Sequence, residues 1–443
     1  MKQIWNLLKT GQKENYKIAY TNARIIDPES KLDINGSLLT QGNKIVDFGE
    51  QLFQDGIPSG IDDIIDCKGL ILMPGLIDIH VHFREPGEEH KETIYTGSKS
   101  AAAGGVTTVV CQPNTVPPID NIVLARYLKY RALETSHVNI EFYAKITSSE
   151  KKLTEMALLK ESGAVGFTDD GMPVMNSFVM RQALLYSSML NVPIAQHAED
   201  LDLSAGGAIN YGKVSEELGI KGILNASESI IVNRDILLMK DIQNVHYHVL
   251  HVSTKDSLEA IKRARDLGLN VTCEVAPHHF TLTEDAVKQY GAIAKMNPPL
   301  RTEEDMLAMI EGLKNGVIDC IATDHAPHDY HSKNLSLENA AFGIVGLETL
   351  LPLSLELYHN KKMNLLDVLA KLTYQPADII HVPRGRIQKG LVADLTLVDL
   401  DYEWEIKTEN FVSKSKNSPF NGRKVTGRVM RTIAQGKIIY QYD

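Results

Sequence analysis

Residues 76–87 read Leu76-Ile77-Asp78-Ile79-His80-Val81-His82-Phe83-Arg84-Glu85-Pro86-Gly87, an apolar run that turns abruptly into ionisable residues. A short run of this kind, closed by Pro and Gly, reads as a buried strand feeding a loop. Side chains alternate along a strand, so His80 and His82 project from one face at its exit. Seven more runs rich in β-branched residues follow: Val106 to Cys111, Val138 to Ala144, Ala164 to Phe167, Val192 to Ala195, Val245 to Val249, Leu269 to Cys273 and Val317 to Ala322. Helical patterns separate them. One is Thr254 to Leu267, with Leu258, Ile261, Ala264 and Leu267 at three- and four-residue steps and Gly268 as a stop. This alternation predicts an α/β fold with a parallel sheet, and eight units in series is the number that closes a barrel.

Outward from this core the texture changes. From Tyr16 to Met73 the chain has short alternating stretches with Gly42-Asn43 between two of them, and after Arg384 the pattern returns in ADLTLVDL and RVMRTIAQGKIIYQ. These read as hairpins. The expected division is a composite β domain from 1–72 plus 385–443 and a catalytic barrel over 73–384. Asp202 to Ile223, rich in Gly and Ser, reads as a long connection or a cover over the site.

Composition narrows the function. In 443 residues, 43% are hydrophobic and 23% charged, which excludes disorder as the dominant state. Lys plus Arg is 46 against 56 Asp plus Glu, a net charge of −10, so there is no basic field for nucleic acid. Cys67, Cys111, Cys273 and Cys320 form no CxxC pair, which suits a reducing compartment. Met1 to Tyr16 lacks a signal-peptide core, and the apolar segment Gly69 to Ile79 is broken by Pro74 and Gly75. The expectation is a cytoplasmic protein without membrane contact.

His and Asp gather just after the apolar runs, at the end of a barrel where active sites are built. An HxH pair in isolation is more often two core histidines than two ligands; the position at a strand exit reverses this, so His80 and His82 read as metal ligands, and imidazole suits zinc. His197 closes the fifth run and His251 the sixth, whereas His246 and His248 come earlier and read as packing residues or backbone-bonded ones. Asp169-Asp170 after the fourth run are an anchor and a ligand, or a turn made with Gly171. Asp324, after the eighth run, stands where a carboxylate can meet a metal and take a proton from water. His325 reads as a packing or supporting residue, and His278 and His279 stay undecided. Asn114 and Asn297, in loops stiffened by proline, read as substrate contacts or as ordinary turn residues.

Taken in order, DIHVHFREPG, PNT, GFTDDG, HAED, HVST, MNPPLR and ATDHAPH resemble the class I bacterial dihydroorotases of the amidohydrolase superfamily, from about Ala23 to near the C-terminus. The resemblance implies a (β/α)8 TIM-like barrel of the amidohydrolase type beside a small β-sandwich domain built from both chain termini. It implies one or two Zn2+ ions, His80, His82 and Asp324 at one, His197 and His251 at the second, Asp170 bridging and Asp169 structural. Many superfamily members bridge with a carboxylated lysine; GFTDDG has none. By the same resemblance Arg84, Asn114 and His328 bind the substrate's α-carboxylate, Asn297 and the Phe342-Gly343 backbone contact the ring, and His82 borders the substrate. The implied reaction is the reversible cyclisation of N-carbamoyl-L-aspartate to dihydroorotate, with Asp324 as base and then acid. The alternatives are a hydantoinase or allantoinase, and an inactive dihydroorotase-like scaffold of aspartate transcarbamoylase. A homodimer, with possible association with aspartate transcarbamoylase, is the implied assembly. Met1 to Tyr16 is an extension without a functional reading.

Overall fold

The computed structural model describes residues 4–8 and 11–442. Among these, eight parallel strands follow one another in one sheet: β1 Leu76–Val81, β2 Val106–Cys111, β3 Asn139–Ala144, β4 Gly166–Phe167, β5 Ile194–Gln196, β6 Tyr247–Val249, β7 Val271–Val275 and β8 Cys320–Ile321. Each overlaps the run that predicts it. Strands covered on both faces are apolar throughout rather than alternating, and β2, VTTVVC, is buried at every position.

The sheet closes at the exit of β1, where Val81 forms a parallel bridge with His325. There the His82 N–H donates to the His325 carbonyl at 2.9 Å and the His325 N–H to the His80 carbonyl at 3.3 Å. Asp78, a carboxylate inside β1, stitches the same seam: it accepts from the Thr323 hydroxyl at 2.5 Å and from the Thr323 and His80 N–H groups, each at 3.1 Å. The seam therefore runs through the cluster of ionisable residues.

The helix expected after β6 is Lys255–Asp266, capped by the Thr254 hydroxyl, which accepts from the Ser257 N–H at 3.3 Å. Leu258, Ile261 and Ala264 are buried against the barrel. Each large side chain so placed is worth about 1.5–3 kcal/mol, and Ile261→Ala costs about 2–5 kcal/mol because a cavity remains. Leu267, expected on the same stripe, is exposed because it falls at the C-cap, outside the last turn.

A second, mixed sheet takes strands from both chain ends. Among the described residues its order is Ile4–Trp5, Lys437–Gln441, Lys424–Ala434, Leu395–Glu405, Ile71–Pro74, Lys17–Asp27, Leu32–Gln41 and Lys44–Gly49, with Asp63–Asp66 paired to Lys17–Asp27. Ile25, Leu38, Leu72, Leu395, Leu397 and Ile433 share one buried cluster, so the two ends of the chain make a common core. The hairpins expected around Gly42 and Gly436 are present. The N-terminal extension supplies an edge strand: Ile4 pairs with Gln441 and Trp5 with Tyr440. The chain leaves this sheet for β1 at Gly75, where a Cβ would lie 2.2 Å from the Thr107 hydroxyl. Residues 202–223 are not a plain loop: they hold the parallel pair Ile209–Asn210 and Gly222–Ile223 and the helix Lys213–Leu218.

Candidate active site

The strand exits bring His80, His82, Asp170, His197, His251 and Asp324 together, all buried. Asp170 lies between two histidine pairs. Its Oδ2 is 3.4 Å from both His80 Nε2 and His82 Nε2, and its Oδ1 is 3.6 Å from His197 Nδ1 and 3.5 Å from His251 Nε2. Asp324 Oδ1 faces the first pair, 3.1 Å from His82 Nε2 and 3.5 Å from His80 Nε2. The ligand-type atoms of His80, His82 and Asp324, and those of His80, Asp170 and His251, each fall within 4.8 Å of one another.

Other groups fix which nitrogen each ring turns inward. His80 Nδ1 donates to Glu274 Oε1 at 2.5 Å, His82 Nδ1 to Asn114 Oδ1 at 2.9 Å, and His197 Nε2 to Glu199 Oε2 at 2.9 Å. A carboxylate behind an imidazole locks its tautomer and raises its basicity as a ligand. Glu274, in the middle of β7, accepts from His248 Nε2 as well, at 3.2 Å. His248 Nδ1 and His246 Nε2 both meet the Thr272 hydroxyl, at 2.8 and 2.7 Å. His246 and His248 are thus buried as expected, but their hydrogen bonds run to side chains rather than to backbone. Neither Glu274 nor Glu199 was assigned a role from the sequence. The available signal in Glu274 was an acidic residue in a strand otherwise built for burial, VTCEV.

Asp169 points the other way. Its Oδ1 accepts from the Ile146 and Thr147 N–H groups at 2.9 and 3.0 Å, the Thr147 hydroxyl binds Oδ2, and Lys145 Nζ lies at 3.3 Å. His279 Nε2 donates to the Pro298 carbonyl at 3.0 Å. His325 Nδ1 accepts from the Gly346 N–H at 3.1 Å while Nε2 faces Glu92 at 3.5 Å. Both are accounted for as supporting residues.

The donor set fits a cation. His80 Nε2 and Asp170 Oδ1 are buried without a hydrogen-bond partner among the described residues. Asp170, Asp324, Glu199 and Glu274 put four carboxylates in one buried region whose counter-groups are imidazoles. Burial opposes protonation of His197, yet Asp170 and Glu199 push it up to about 10. Burial likewise works to raise Asp324, but His80 and His82 hold its carboxyl well below the usual range. Carboxylates that draw a proton onto His197 in this way leave a buried site short of positive charge, and buried carboxylates with imidazoles are the donors that supply a divalent metal. His248, Glu274 and Cys320 also converge, but Glu274 is already spent on His80 and His248.

One cavity of about 210 Å³ opens on this cluster, lined by His82, Asp170, His197, His251 and Asp324 together with Arg84, Asn114, Asn297, His328, Phe342 and Gly343. The Arg84 guanidinium is buried; its Nε donates to the Pro327 carbonyl at 3.3 Å, and among the described residues no carboxylate is within ion-pair distance of it. A buried guanidinium without a counter-ion is a receptor for an anion. His328 Nε2, 3.4 Å from Arg84, donates to the Phe342 carbonyl at 2.7 Å. Asn297 Nδ2 donates to Glu199 at 3.0 Å. Gly343 gives its N–H to the Lys295 carbonyl at 3.0 Å, and its own carbonyl accepts from Lys333 Nζ at 3.0 Å and Asn417 Nδ2 at 3.1 Å. Lys333, buried, also holds the Lys295 and Ala341 carbonyls, at 3.0 and 2.8 Å. Any ligand bond to the Gly343 backbone must therefore share or replace one of these.

Comparison with known proteins bears on this arrangement. The Dihydro-orotase-like family model matches residues 69–257. The chain is 82% identical to the dihydroorotase of Wolbachia sp. subsp. Drosophila simulans over 440 residues, covering 99% of each chain. It is 69% identical to that of Ehrlichia canis, covering 99% of this chain and 98% of the other. Among solved structures, the L-hydantoinase (dihydropyrimidinase) of Arthrobacter aurescens matches with a TM-score of 0.86 at 26% identity, over 96% of each chain. With its closed parallel barrel, its mixed terminal sheet and relatives matched along their whole length, the chain belongs to the dihydroorotase family of cyclic amide hydrolases.

Proposed function

We propose that the chain interconverts N-carbamoyl-L-aspartate and (S)-dihydroorotate, the third step of de novo pyrimidine synthesis, at the cavity under Arg84 and Asp324. The observation that carries this reading is Asp170, whose two oxygens each face a different histidine pair. His80, His82 and Asp324 would hold one divalent cation and His197 and His251 a second, with Asp170 shared; the nitrogen-rich donor set favours zinc. When bound, such a cation supplies Lewis acidity, lowering the pKa of water at the site from about 15.7 toward about 7.

The chain's own residues do the rest. Arg84, with Asn114 and His328, binds the carboxylate of the substrate; the planar guanidinium pairs both oxygens at once. Asn297 and the Phe342-Gly343 backbone orient the ring. In the hydrolytic direction the oxygen of water adds to the ring carbonyl carbon and the ring C–N bond breaks. Asp324, ionised in its histidine surroundings, takes the proton from the attacking water and delivers it to the departing nitrogen. The products are a carboxylic acid, which gives up the second proton of the water to solvent and becomes a carboxylate, and a terminal ureido NH2; the biosynthetic direction takes up that proton and runs the same transfers in reverse. A cavity of about 210 Å³ suits a single-ring acid.

The same reading divides the chain into a barrel over 73–384 and a composite domain over 1–72 plus 385–443; the terminal-sheet strand Ile71–Pro74 favours a first cut two residues later, at the crossing by Gly75. Four free, buried cysteines agree with a cytoplasmic enzyme, and among the described residues no helix is long and apolar enough to cross a membrane. Val123, Tyr130, Leu133, Phe178 and Met189, exposed on the helices Ile122–Thr135 and Ser177–Leu190, support a homodimer or contact with aspartate transcarbamoylase. Metal analysis of the purified protein paired with a dihydroorotate hydrolysis assay tests the central claim. Zinc near one or two equivalents with turnover supports it; hydrolysis of hydantoin but not of dihydroorotate refutes it.

A further inference from the structure

Asn417 lies far from the strand exits in sequence, within the terminal part of the chain, yet its buried amide sits directly behind the cavity. The segment around it is bound onto the barrel through two acids, half-buried Glu348 and buried Glu92. Glu348 accepts from the Val412 N–H at 2.7 Å and the Ser413 N–H at 3.0 Å, while Glu92 accepts from the Ser413 hydroxyl and the Lys414 N–H at 3.2 Å. The Ser415 hydroxyl donates to the Lys91 carbonyl at 2.7 Å. At the end of this strap the Asn417 amide is fully used: Nδ2 donates to the Ala326 carbonyl at 3.0 Å and the Gly343 carbonyl at 3.1 Å, and Oδ1 accepts from the His328 N–H at 3.1 Å. Its own carbonyl accepts from the Val345 N–H at 2.9 Å.

These bonds join two loops that also meet directly, at a parallel bridge between His325 and Ile344 where the Ala326 N–H donates to the Ile344 carbonyl at 2.8 Å, and through the His328 ring on the Phe342 carbonyl. One carries His328 and the other Phe342 and Gly343. Their backbones are drawn close: Gly343 has φ +114°, and a Cβ on it would lie 2.5 Å from the Ala326 Cβ. Three hydrogen bonds from one planar amide fix both separation and angle, because the donors and the acceptor cannot be reoriented independently.

We propose that Asn417 is a positioning residue, contributed by the terminal segment, that sets the geometry of the end of the site receiving the substrate's carboxylate. It acts by holding the backbone of His328 against that of Gly343. The inference rests on the reading of His328 and Phe342-Gly343 as substrate contacts. Its effect belongs in substrate affinity rather than in the chemical step, since Asn417 bonds none of the six candidate metal ligands.

The test compares wild-type protein with Asn417→Ala, and with Asn417→Ser, which keeps one hydroxyl donor and so keeps the segment closer to its place. Steady-state hydrolysis of dihydroorotate is measured along with metal content and unfolding temperature. The expected result is a KM raised about tenfold in Asn417→Ala, and less in Asn417→Ser, with kcat within about threefold of wild type and metal content unchanged. An unchanged KM in a folded variant overturns the proposal, as does a loss of kcat and metal with KM preserved. If Asn417→Ala does not fold, the KM of Asn417→Ser decides alone: a wild-type value overturns the proposal and a raised one upholds it. Failure of the underlying reading looks different, since wild-type protein would then not turn over dihydroorotate at all.

Discussion

The six residues on the floor of the site, His80, His82, Asp170, His197, His251 and Asp324, all sit within three residues of a barrel strand end, as do Arg84 and Asn114 on the rim, whereas the rest of the rim, Asn297, His328, Phe342 and Gly343, lies further out along the loops. Floor residues are aimed by the sheet's own hydrogen bonds and by acids lying beneath them, as Glu274 lies beneath His80. Rim residues are aimed by long-range bonds to backbone carbonyls, from Arg84 to Pro327, from Lys333 to Gly343 and from Asn417 to Ala326. Under the proposed function the contrast teaches a separation of tasks: groups at the strand exits would carry the chemistry, and cross-links between loops would set what is admitted to it.

The largest expected effect strikes the floor. Asp324→Ala should lower kcat by about a thousandfold or more, the loss of a group acting as both base and acid, while circular dichroism shows an intact fold; a rate near wild type would remove Asp324 from the proton path. Stripping metal with a chelator should abolish turnover, and adding zinc back should restore it. On the rim, Arg84→Lys should raise KM roughly tenfold or more because the two-oxygen grip on a carboxylate is lost, with kcat less affected. Equal losses in kcat and KM from floor and rim variants would dissolve the distinction.

Glu274→Gln sharpens it from beneath. Replacing the acid behind His80 should weaken metal retention about 10- to 100-fold in chelator competition without raising KM in fully loaded protein. The smallest effect concerns the rim lysine. Burial, with Lys295 nearby, pushes Lys333 down to about 7 from 10.5. Between those values the unfolded chain holds a proton that the folded protein lacks, so stability rises with pH across that window. From pH 7 to 8.5, wild type should gain about 1 kcal/mol relative to Lys333→Met in denaturant unfolding; a difference independent of pH would show that Lys333 stays charged at its three carbonyls.

The floor was far more legible in sequence than the rim. HxH at a strand exit, His197 after PIAQ and His251 after VHYHVL announce themselves because ionisable residues interrupt local apolar patterns. All eight strand runs were visible for the same reason: burial on both faces leaves an unbroken signature. Asp78 and Glu274 carried a signal too, as acids within buried strands. The carboxylate-binding roles proposed for Arg84, Asn114 and His328 come from resemblance alone, since a loop residue's role depends on what the loop packs against. Asn417 was invisible, because nothing local in SKSKNSPF indicates that its amide meets Ala326, His328 and Gly343.

The mixed sheet has a consequence for synthesis. Leu395–Glu405 lies between Ile71–Pro74 and Lys424–Ala434, so the N-terminal strands meet their neighbour only after the barrel has been translated. At about 5–20 residues per second, roughly 300 intervening residues keep that strand edge waiting on the ribosome for tens of seconds. The last strands to emerge are those that seal it.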